Sequence, residues 1–360
     1  MVKKILYKYH NITKLLMQEY SILWWNVENL FDVENSSNRS EKLQRTLQNE
    51  LTGWTENILD KKILQLSQII SKIQNNMGPD IIGICEVENR NVVDKLKRKL
   101  NDTITHHNYE IVHADTKDKR GIDIAFLYDT NKFEVEKDEN NNDLVFSHFV
   151  VKSEATRDIL QANFLTKSSE KKRRLVLIGN HWPSRSGGHY ESEPYRIVAG
   201  ETLSYFHKRI LEETLEDNIN NNNNNDEATT AILVMGDFND EPFDRSIVKH
   251  ALALSHPLKI TFSKNKPWLY NLMYPLVGEG IGTFYFDNFP NLLDQFMVSK
   301  GIVSEKDFKV NKGSIQILKF PEMSQGRYKI PIKFGRPSNS SLNINGYSDH
   351  FPISMILKET

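Results

Sequence analysis

Gly346-Tyr347-Ser348-Asp349-His350-Phe351-Pro352-Ile353 is the most informative stretch of the chain. A fixed Asp-His pair beside a Gly and a Pro, inside an apolar run, is typical of catalytic side chains at the end of a buried strand. Five further polar islands interrupt or end apolar, strand-like segments, and their acceptor groups suit a hard metal ion and phosphate chemistry. These islands are 25–29, 85–90, 180–183, 236–240 and 293–295.

The composition describes an ordinary globular protein. Of 360 residues, 39% are hydrophobic and 26% are charged, and this length allows one large α/β domain or two smaller ones, either with a substantial core. The formal net charge of −1 argues against a strongly cationic surface, so nucleic-acid binding must rely on a local patch. The sole cysteine, Cys85, excludes an intramolecular disulfide and a cysteine zinc cluster, and its apolar surroundings indicate a buried thiol.

No apolar stretch approaches the ~20 residues of a membrane span. The basic start, 1–8, is cut short by Tyr7, Lys8, Tyr9 and His10, which makes a poor secretory signal. We therefore expect no stable membrane insertion and an intracellular location, and we expect a monomer.

The order of predicted elements favours two β-sheets packed face to face, with helices outside, over a doubly wound parallel sheet. Helical spacing spans about 42–75 and 89–100, and a third helix is predicted over 195–215. The predicted strands are 20–25, 81–85, 109–113, 122–128, 144–151, 158–165, 175–180, 231–235, 296–298 and 352–356.

The predicted organisation is an N-terminal extension over residues 1–19 and a single domain over 20–358. Two polar inserts, near 137–143 and 216–229, cannot bury apolar surface and are expected to be mobile surface loops. The second insert contains the Asn run 220–225 and falls between a helix and a strand, away from the polar islands.

Glu86 is the best single candidate for a Mg²⁺ ligand, because it ends a wholly apolar strand-like run and an unpaired buried carboxylate is costly. Glu28 is expected to support the metal directly or through water. We expect Glu88 to be a salt-bridge partner of Arg90.

Gly236-Asp237-Phe238-Asn239 is the strongest local motif. Asp237 and Asn239 lie two apart, so on extended backbone their side chains point the same way. Asp237 offers a base for an attacking water, and Asn239 offers an amide that holds the water or a phosphate. The alternative is an Asx-rich turn.

Two histidines, His181 and His350, each lie at the edge of a strand-like run. Asp294, which follows an apolar pair, provides a carboxylate that would orient His350 by the usual carboxylate–imidazole logic. Asp349 would then face the opposite way, toward the metal.

Taken together, Asn26, Glu86, His181, Asp237, Asn239, Asp294, Asp349 and His350 resemble the motif set of the endonuclease/exonuclease/phosphatase superfamily, which includes deoxyribonuclease I. The order and rough spacing match over nearly the whole chain. Longer phrases resemble the branch of predicted bacterial nucleases, and these phrases are 25–32, 120–125, 156–160, 291–295 and 346–352.

The resemblance implies a four-layer α/β sandwich, of two packed mixed β-sheets flanked by helices, with the site at one end. It implies Mg²⁺ bound by Glu86 with help from Asn26, Asp349 and Glu28, with Mn²⁺ or Ca²⁺ as substitutes. By the same resemblance Asp237 activates or positions water with the support of Asn239. His350, oriented by Asp294, stabilises the developing phosphorane charge, and His181 contacts the phosphate or protonates the leaving oxygen.

The substrate is less closely determined. Arg120, Arg157 and Arg185 lie within or beside the matching phrases and are candidates for phosphate contacts, with salt bridges to neighbouring acids as the alternative. For the basic run 171–174 there are two interpretations, contact with a nucleic-acid backbone and a solvated hairpin turn. We favour the turn. Trp182 is expected to pack against the scaffold rather than stack on a base.

Two classes of phosphoester hydrolase remain open. The resemblance favours a nuclease or phosphodiesterase that takes nucleic acid as its substrate. The alternative is a hydrolase of a small or lipid phosphoester, such as an inositol phosphate or sphingomyelin.

Overall fold

The computed structural model describes residues 18–116, 118, 120–151, 157–167, 171–220, 230–263 and 266–360, and the side chains of 217–220 lie outside that description. The predicted extension, 1–19, falls almost wholly outside the described residues, and the first strand begins at Glu19. Within the described part of the chain, no helix has the length and apolar character needed to cross a membrane.

Nineteen strands are found among the described residues, and most are short. In chain order they are β1 (Glu19–Leu30), β2 (Ile81–Val87), β3 (Tyr109–His113), β4 (Asp123–Asp129), β5 (Phe133–Val135), β6 (Val145–His148), β7 (Ile159–Thr166), β8 (Arg174–His181), β9 (Ala231–Asp237), β10 (Ala253–Leu254), β11 (Leu269–Asn271), β12 (Phe284–Phe286), β13 (Phe289–Asn291), β14 (Asp294–Val298), β15 (Phe308–Val310), β16 (Gln316–Ile317), β17 (Ser324–Gln325), β18 (Ile330–Pro331) and β19 (Ile353–Glu359).

Three long helices and three short ones complete the described elements, together with single helical turns. The helices are α1 (Glu41–Leu47), α2 (Glu56–Asn76), α3 (Arg90–Thr103), α4 (His189–Asn220), α5 (Pro257–Thr261) and α6 (Lys300–Val303). The 3₁₀ turns are Arg185–Gly187, Tyr274–Leu276, Lys312–Ser314, Pro321–Met323 and Pro337–Asn339, and Ser246–His250 is a π-helical turn.

The strands form two large mixed sheets and two small hairpin sheets. The first sheet has the order β15-β19-β1-β2-β4-β3, with β16 also pairing with β19. The second has the order β10-β11-β14-β9-β8-β7-β5, with β6 also pairing with β7. The hairpins β12-β13 and β17-β18 stand outside both sheets.

Four layers follow from the alternation of side chains along the strands. Inner-face residues of both sheets, such as Trp24, Phe126, Leu177 and Phe296, share one buried cluster. The opposite face of the first sheet packs on α2 and α3, and the opposite face of the second packs on α4. The chain therefore has the four-layer α/β sandwich that the sequence predicts.

Gly83 of β2 shows how closely the two sheets approach. A Cβ built on Gly83 would lie 2.7 Å from a ring carbon of Trp24 and 2.8 Å from Sδ of Met235 in the opposite sheet. Real Cβ atoms do not approach heavy atoms so closely, so only glycine fits at this point of the central layer.

Several predicted element boundaries are wrong. The first strand does not end at Trp25 but continues to Leu30. The helical pattern over 42–75 is divided into α1 and α2. Between them Leu51 and Trp54 are buried in a small cluster with Phe31, so their apolar character serves packing rather than one continuous helix.

The polar segments also differ from one another. The insert 137–143 is a tight loop closed by a bridge between Lys137 and Asp143. In the second insert, α4 extends to Asn220 and residues 221–229 lie outside the described part. Within the basic run, Lys172, Arg173 and Arg174 pair with acids, so these three side chains are engaged within the protein.

Candidate active site

The polar islands meet because of the strand directions. β2 runs parallel to β1, and β9 runs parallel to β8, so the carboxyl ends of all four strands lie at one end of the sandwich. β19 runs antiparallel to β1 and β14 antiparallel to β9, so the residues at their beginnings come to that same end. Residues from 26 to 350 thereby surround one cleft between the sheets.

Two irregularities in the first sheet shape this cleft. The β1–β2 pairing shifts between Asn26 and Leu30, and the β2–β4 pairing shifts between Cys85 and Val87. Glu86 has a φ of 65° and Glu28 a φ of 51°, in the left-handed region that non-glycine residues rarely adopt. Such bulges redirect a side chain out of the regular alternation, and backbone strain of this kind is characteristic of functional sites.

Glu86 and Asp237 are joined across the two sheets by Asn26. The Asn26 side-chain amide donates to Asp237 Oδ2 at 3.0 Å and to Glu86 Oε1 at 3.4 Å. The backbone N–H of Asn29 donates to the other Glu86 oxygen at 2.9 Å. Asn26, predicted as a metal ligand, therefore holds two carboxylates together, while its own side-chain oxygen accepts from the Glu28 N–H.

His350 and Asp294 form a buried pair. His350 Nδ1 lies 2.7 Å from Asp294 Oδ2, and the Trp24 indole N–H donates to the other Asp294 oxygen at 3.0 Å. Trp25 fixes the backbone, because its indole donates to the His350 carbonyl at 2.9 Å. Burial disfavours the imidazolium, but the charges of Asp294 and Asp237 outweigh burial and raise the pKa of His350 to about 10.

Asp237 lies next to this imidazole, with Oδ2 3.8 Å from His350 Nε2. Burial raises the pKa of Asp237 to about 6, although the His350 charge and the Asn26 hydrogen bond act in the opposite direction. Asp237, Asp294 and His350 each bring one potential ligand atom within 4.8 Å of the others.

The expected extended backbone from Asp237 to Asn239 is wrong, because Asn239 has a φ of 52°. Its N–H donates to Asp237 Oδ1 at 3.0 Å, and its side-chain amide donates to the Trp182 carbonyl at 3.0 Å. The Asx-type turn and the polar cluster, which the sequence offers as alternatives, are therefore the same structure.

His181, Arg120 and Arg157 lie near the carboxylates of the site. His181 Nε2 lies 3.6 Å from Glu86 and 3.8 Å from Asp237. Burial, together with the nearby charges of Arg157 and Arg120, lowers the pKa of His181 well below its ordinary value, so this imidazole is neutral. Burial alone would raise the pKa of Glu86, but the charges of Arg120, Arg157 and His350 hold it below its ordinary value.

The arginines divide into two kinds. Arg157 is buried and donates to the Trp182 carbonyl at 3.0 Å, while Arg120 donates to the Asn29 side chain at 3.2 Å. Among the described residues, neither forms a salt bridge with a carboxylate. Arg185, in contrast, pairs with Asp240 and Asp244 at 3.0 and 2.7 Å, so the salt-bridge alternative describes it.

Two neighbouring acids are engaged in structural pairs. The predicted salt bridge between Glu88 and Arg90 is wrong. The Glu88 carboxylate pairs with the buried guanidinium of Arg39, at 2.6 Å. Asp123 accepts from the Thr116 hydroxyl at 2.6 Å.

Sequence reasoning missed Lys62, which is 0% exposed and donates to the Tyr347 carbonyl at 3.1 Å. Burial lowers the pKa of Lys62 to about 8 against the attraction of Glu28, Asp349 and Glu86. Burial and Asp349 in turn raise the pKa of Glu28 to about 7. A signal was present, because Lys62 occupies the apolar face of α2 in helical register with Leu59, Ile63 and Leu66.

Glu28 itself serves the neighbouring loop in this structure. Its carboxylate accepts from the backbone N–H groups of Phe334 at 2.8 Å and Gly335 at 3.2 Å. Asp349, the other predicted metal ligand in this part of the site, has Oδ2 3.7 Å from Lys333 Nζ.

The donor set fits a hard divalent cation. Glu86 and Asp349 retain side-chain exposures of 14% and 24%, so both carboxylates are accessible from the cleft. Oxygen ligands of this kind suit Mg²⁺, Mn²⁺ or Ca²⁺ and are poor ligands for a soft metal.

Comparison with known proteins agrees with this architecture. The structure resembles an endonuclease/exonuclease/phosphatase protein from Bacteroides vulgatus, with 13% identity, a TM-score of 0.51 and coverage of 95% of this chain and 100% of that one. It is also similar to the human Nocturnin catalytic domain, with 14% identity, a TM-score of 0.47 and 96% coverage of both chains. A third similar structure is a Bacteroides thetaiotaomicron mannosyl-6-phosphatase, with 14% identity, a TM-score of 0.48 and coverage of 94% of this chain and 99% of that one. No curated protein matches the chain.

The similarity to the Bacteroides vulgatus protein shows the fold alone, whereas the sequence match to a family is direct. The model of the endonuclease/exonuclease/phosphatase family matches residues 21–359, which span every strand that contributes to the cleft. The chain belongs to the endonuclease/exonuclease/phosphatase family, whose members are hydrolases that act on phosphoesters.

Proposed function

We propose that this protein is a Mg²⁺-dependent phosphodiesterase that cleaves nucleic acid by direct attack of water, with no covalent intermediate. One observation carries the proposal. Glu86, Asp237 and Asp294 come from three strands of two sheets and converge, together with His350 from the segment before β19, beside Arg120 and Arg157. Burying a charged cluster of this composition at one end of a sandwich costs free energy. Clusters that bear this cost are characteristic of functional sites.

Asp237 is the group that accepts a proton from the attacking water. With a pKa of about 6 it is mostly ionised at neutral pH and still basic enough to take a proton. Asn239 fixes this carboxylate by its N–H bond to Oδ1.

His350 is the group that stabilises negative charge on the phosphorus oxygens. With a pKa of about 10 it is an imidazolium at neutral pH, and Asp294 holds its ring so that Nε2 faces the cleft beside Asp237. Neutral His181, with Nε2 directed toward Glu86 and Asp237, is placed to donate to a phosphate oxygen or to the leaving oxygen.

Glu86 and Asp349 would hold the metal, with Asp237 close by. A bound divalent ion would shield the phosphate charge and act as a Lewis acid on a phosphoryl oxygen. Asn26 keeps Glu86 and Asp237 at a fixed separation, and Asn29 fixes the second oxygen of Glu86.

A polyanionic substrate is supported by the two arginines that lack a carboxylate partner among the described residues. Arg120 and Arg157 both act on the pKa of Glu86, so their positive charges reach the cleft. Guanidinium groups that have no carboxylate partner among the described residues are well suited to phosphate oxygens.

The test is the cleavage of supercoiled plasmid DNA by purified protein in Mg²⁺, with EDTA and His350→Ala as controls. We expect nicking that requires both the metal and His350, because the imidazolium and the ion together neutralise the developing charge. Nicking that persists in the His350→Ala protein would contradict the assignment of His350. A wild-type protein that cleaves neither plasmid nor RNA would move the substrate to a small or lipid phosphoester.

A further inference from the structure

A small hairpin is attached directly to the catalytic histidine. β12 and β13 are joined by Asp287 and Asn288, whose φ values of 47° and 67° fit the two-residue turns that favour tight hairpins. Phe284 bridges to His350, and the two rings lie 4.9 Å apart between centroids. The hairpin therefore begins at the reacting centre and extends away from it.

One face of the hairpin is aromatic. Phe286 lies two residues after Phe284 on β12, so both side chains project from the same face, about 6.6 Å apart along the strand. Phe289 pairs directly with Phe286 across the hairpin and shares that face. Phe286 and Phe289 are 66% and 74% exposed, whereas Tyr285 on the other face packs on Phe351.

The segment beside the hairpin is basic. β18 lies against β12, and the turn between β17 and β18 carries exposed Arg327, Tyr328 and Lys329. Residues 319–336 contain five Lys or Arg and a single Asp or Glu, in a chain whose net charge is −1. Arg336 pairs with Glu50, so the cations available for the local patch that nucleic-acid binding requires are Arg327 and Lys329 on the exposed turn and Lys333, which lies over the Phe284 ring.

We propose that the aromatic face of the hairpin binds single-stranded nucleic acid beside the cleavage site. Successive bases would stack on Phe286 and Phe289, while backbone phosphates contact Arg327, Lys329 and Lys333. Aromatic faces alternating with cations are the general means of holding unpaired bases without sequence preference. The inference rests on the proposed nuclease function and specifies a single-stranded or locally unpaired substrate.

The test measures binding and catalysis separately. Binding of a fluorescein-labelled 12-nucleotide single strand is followed by anisotropy in EDTA, which prevents cleavage. Catalysis is followed with bis(p-nitrophenyl) phosphate, a small diester with no bases to stack. The variants are Phe286→Ala with Phe289→Ala, the same pair changed to Leu, and the same pair changed to Trp. Phe262→Ala is the control, because Phe262 is 79% exposed and belongs to another part of the fold.

We expect the Ala pair to weaken oligonucleotide binding at least about tenfold, since base–aromatic stacking is lost at two rings. The Leu pair should be weakened similarly, because leucine keeps the apolar surface but has no π face, and the Trp pair should bind as wild type. Phe262→Ala should bind as wild type, and diester hydrolysis should be unchanged in every variant. Binding of a blunt duplex of the same sequence should change less than twofold.

Oligonucleotide affinity that is unchanged in the Ala pair would overturn the inference. So would loss of binding to phosphatidylserine vesicles in the Ala pair with oligonucleotide affinity retained, which would assign the hairpin to a membrane. The proposed function fails separately: a wild-type protein that binds the strand but hydrolyses neither nucleic acid nor the diester would overturn the catalytic proposal and leave the stacking face standing.

Discussion

His350 is charged at neutral pH because of its neighbours rather than its exposure. Its imidazole is buried between Asp294 and Asp237, and their two negative charges outweigh the cost of burying the imidazolium. The folded protein therefore binds a proton at this position over a pH range in which the unfolded chain, with an ordinary histidine pKa near 6.5, has lost it.

This difference predicts a pH dependence of stability. A group whose pKa is raised on folding contributes stability that is complete below its unfolded value and is lost as the pH approaches its folded value. For His350 the window runs from about pH 6.5 to about pH 10. We expect the free energy of unfolding in urea and EDTA to fall across this window more steeply for wild type than for His350→Gln. Equal slopes would show that His350 is not charged in the folded state.

At this scale the residue types of the site could be predicted, but their conformations could not. Glu86, Asp237, Asn239, Asp294 and His350 were all identifiable as polar residues that end or begin apolar runs. The left-handed backbone of Glu86 and Asn239 depends on pairing with other strands, so no local pattern predicts it.

At the scale of elements, β2 supports the site because it lies between β1 and β4 and its inner face touches the second sheet. Gly83, three residues before Glu86, allows that approach. A methyl group at Gly83 would push against Trp24 and Met235, and Trp24 in turn holds Asp294.

We therefore expect Gly83→Ala to lower the free energy of unfolding by about 1–3 kcal/mol, as overpacked cores generally do. The matched control is Gly187→Ala, because a Cβ at Gly187 meets nothing within 4 Å. That control should stay within about 0.5 kcal/mol of wild type. Urea denaturation of both variants compares them, and equal stabilities would show that the sheets can separate at no cost.

The longer strands could be predicted from apolar runs and their breaks, whereas the helix boundaries were less well predicted. The apolar residues between α1 and α2 continue the helical pattern although they belong to a separate cluster around Trp54. Periodicity reports which residues are buried but not against which partner, so it joined two helices into one. The hairpin β12-β13 was missed because its exposed phenylalanines bury nothing in the core.

At the scale of the whole molecule, the candidate site joins the two sheets. Glu86 belongs to the first sheet and Asp237 to the second, and the contact between them passes through the Asn26 amide. A divalent ion bound here would bring counter-charge to carboxylates of both sheets at once. An ion that bound only the folded state would stabilise it by mass action.

We expect saturating Mg²⁺ to raise the melting temperature of wild type relative to EDTA, by an amount equivalent to about 2.7 kcal/mol at a hundred times the dissociation constant. Glu86→Gln should lose most of this increase, because it removes a charged ligand while keeping the shape of the side chain. Differential scanning calorimetry at several Mg²⁺ concentrations measures the effect. An identical increase in Glu86→Gln would place the ion elsewhere.

The indole of Trp25 reaches the His350 carbonyl over a separation of 325 residues, and β19 lies between β15 and β1. During translation β1, β2, β8 and β9 are all synthesised long before the strand that follows His350. A nascent chain on the ribosome, next to ribosomal and messenger RNA, thus lacks both the His350 imidazolium and β19, which is one of the two neighbours of β1. The hydrolysis that we propose would therefore begin only after synthesis has passed residue 350.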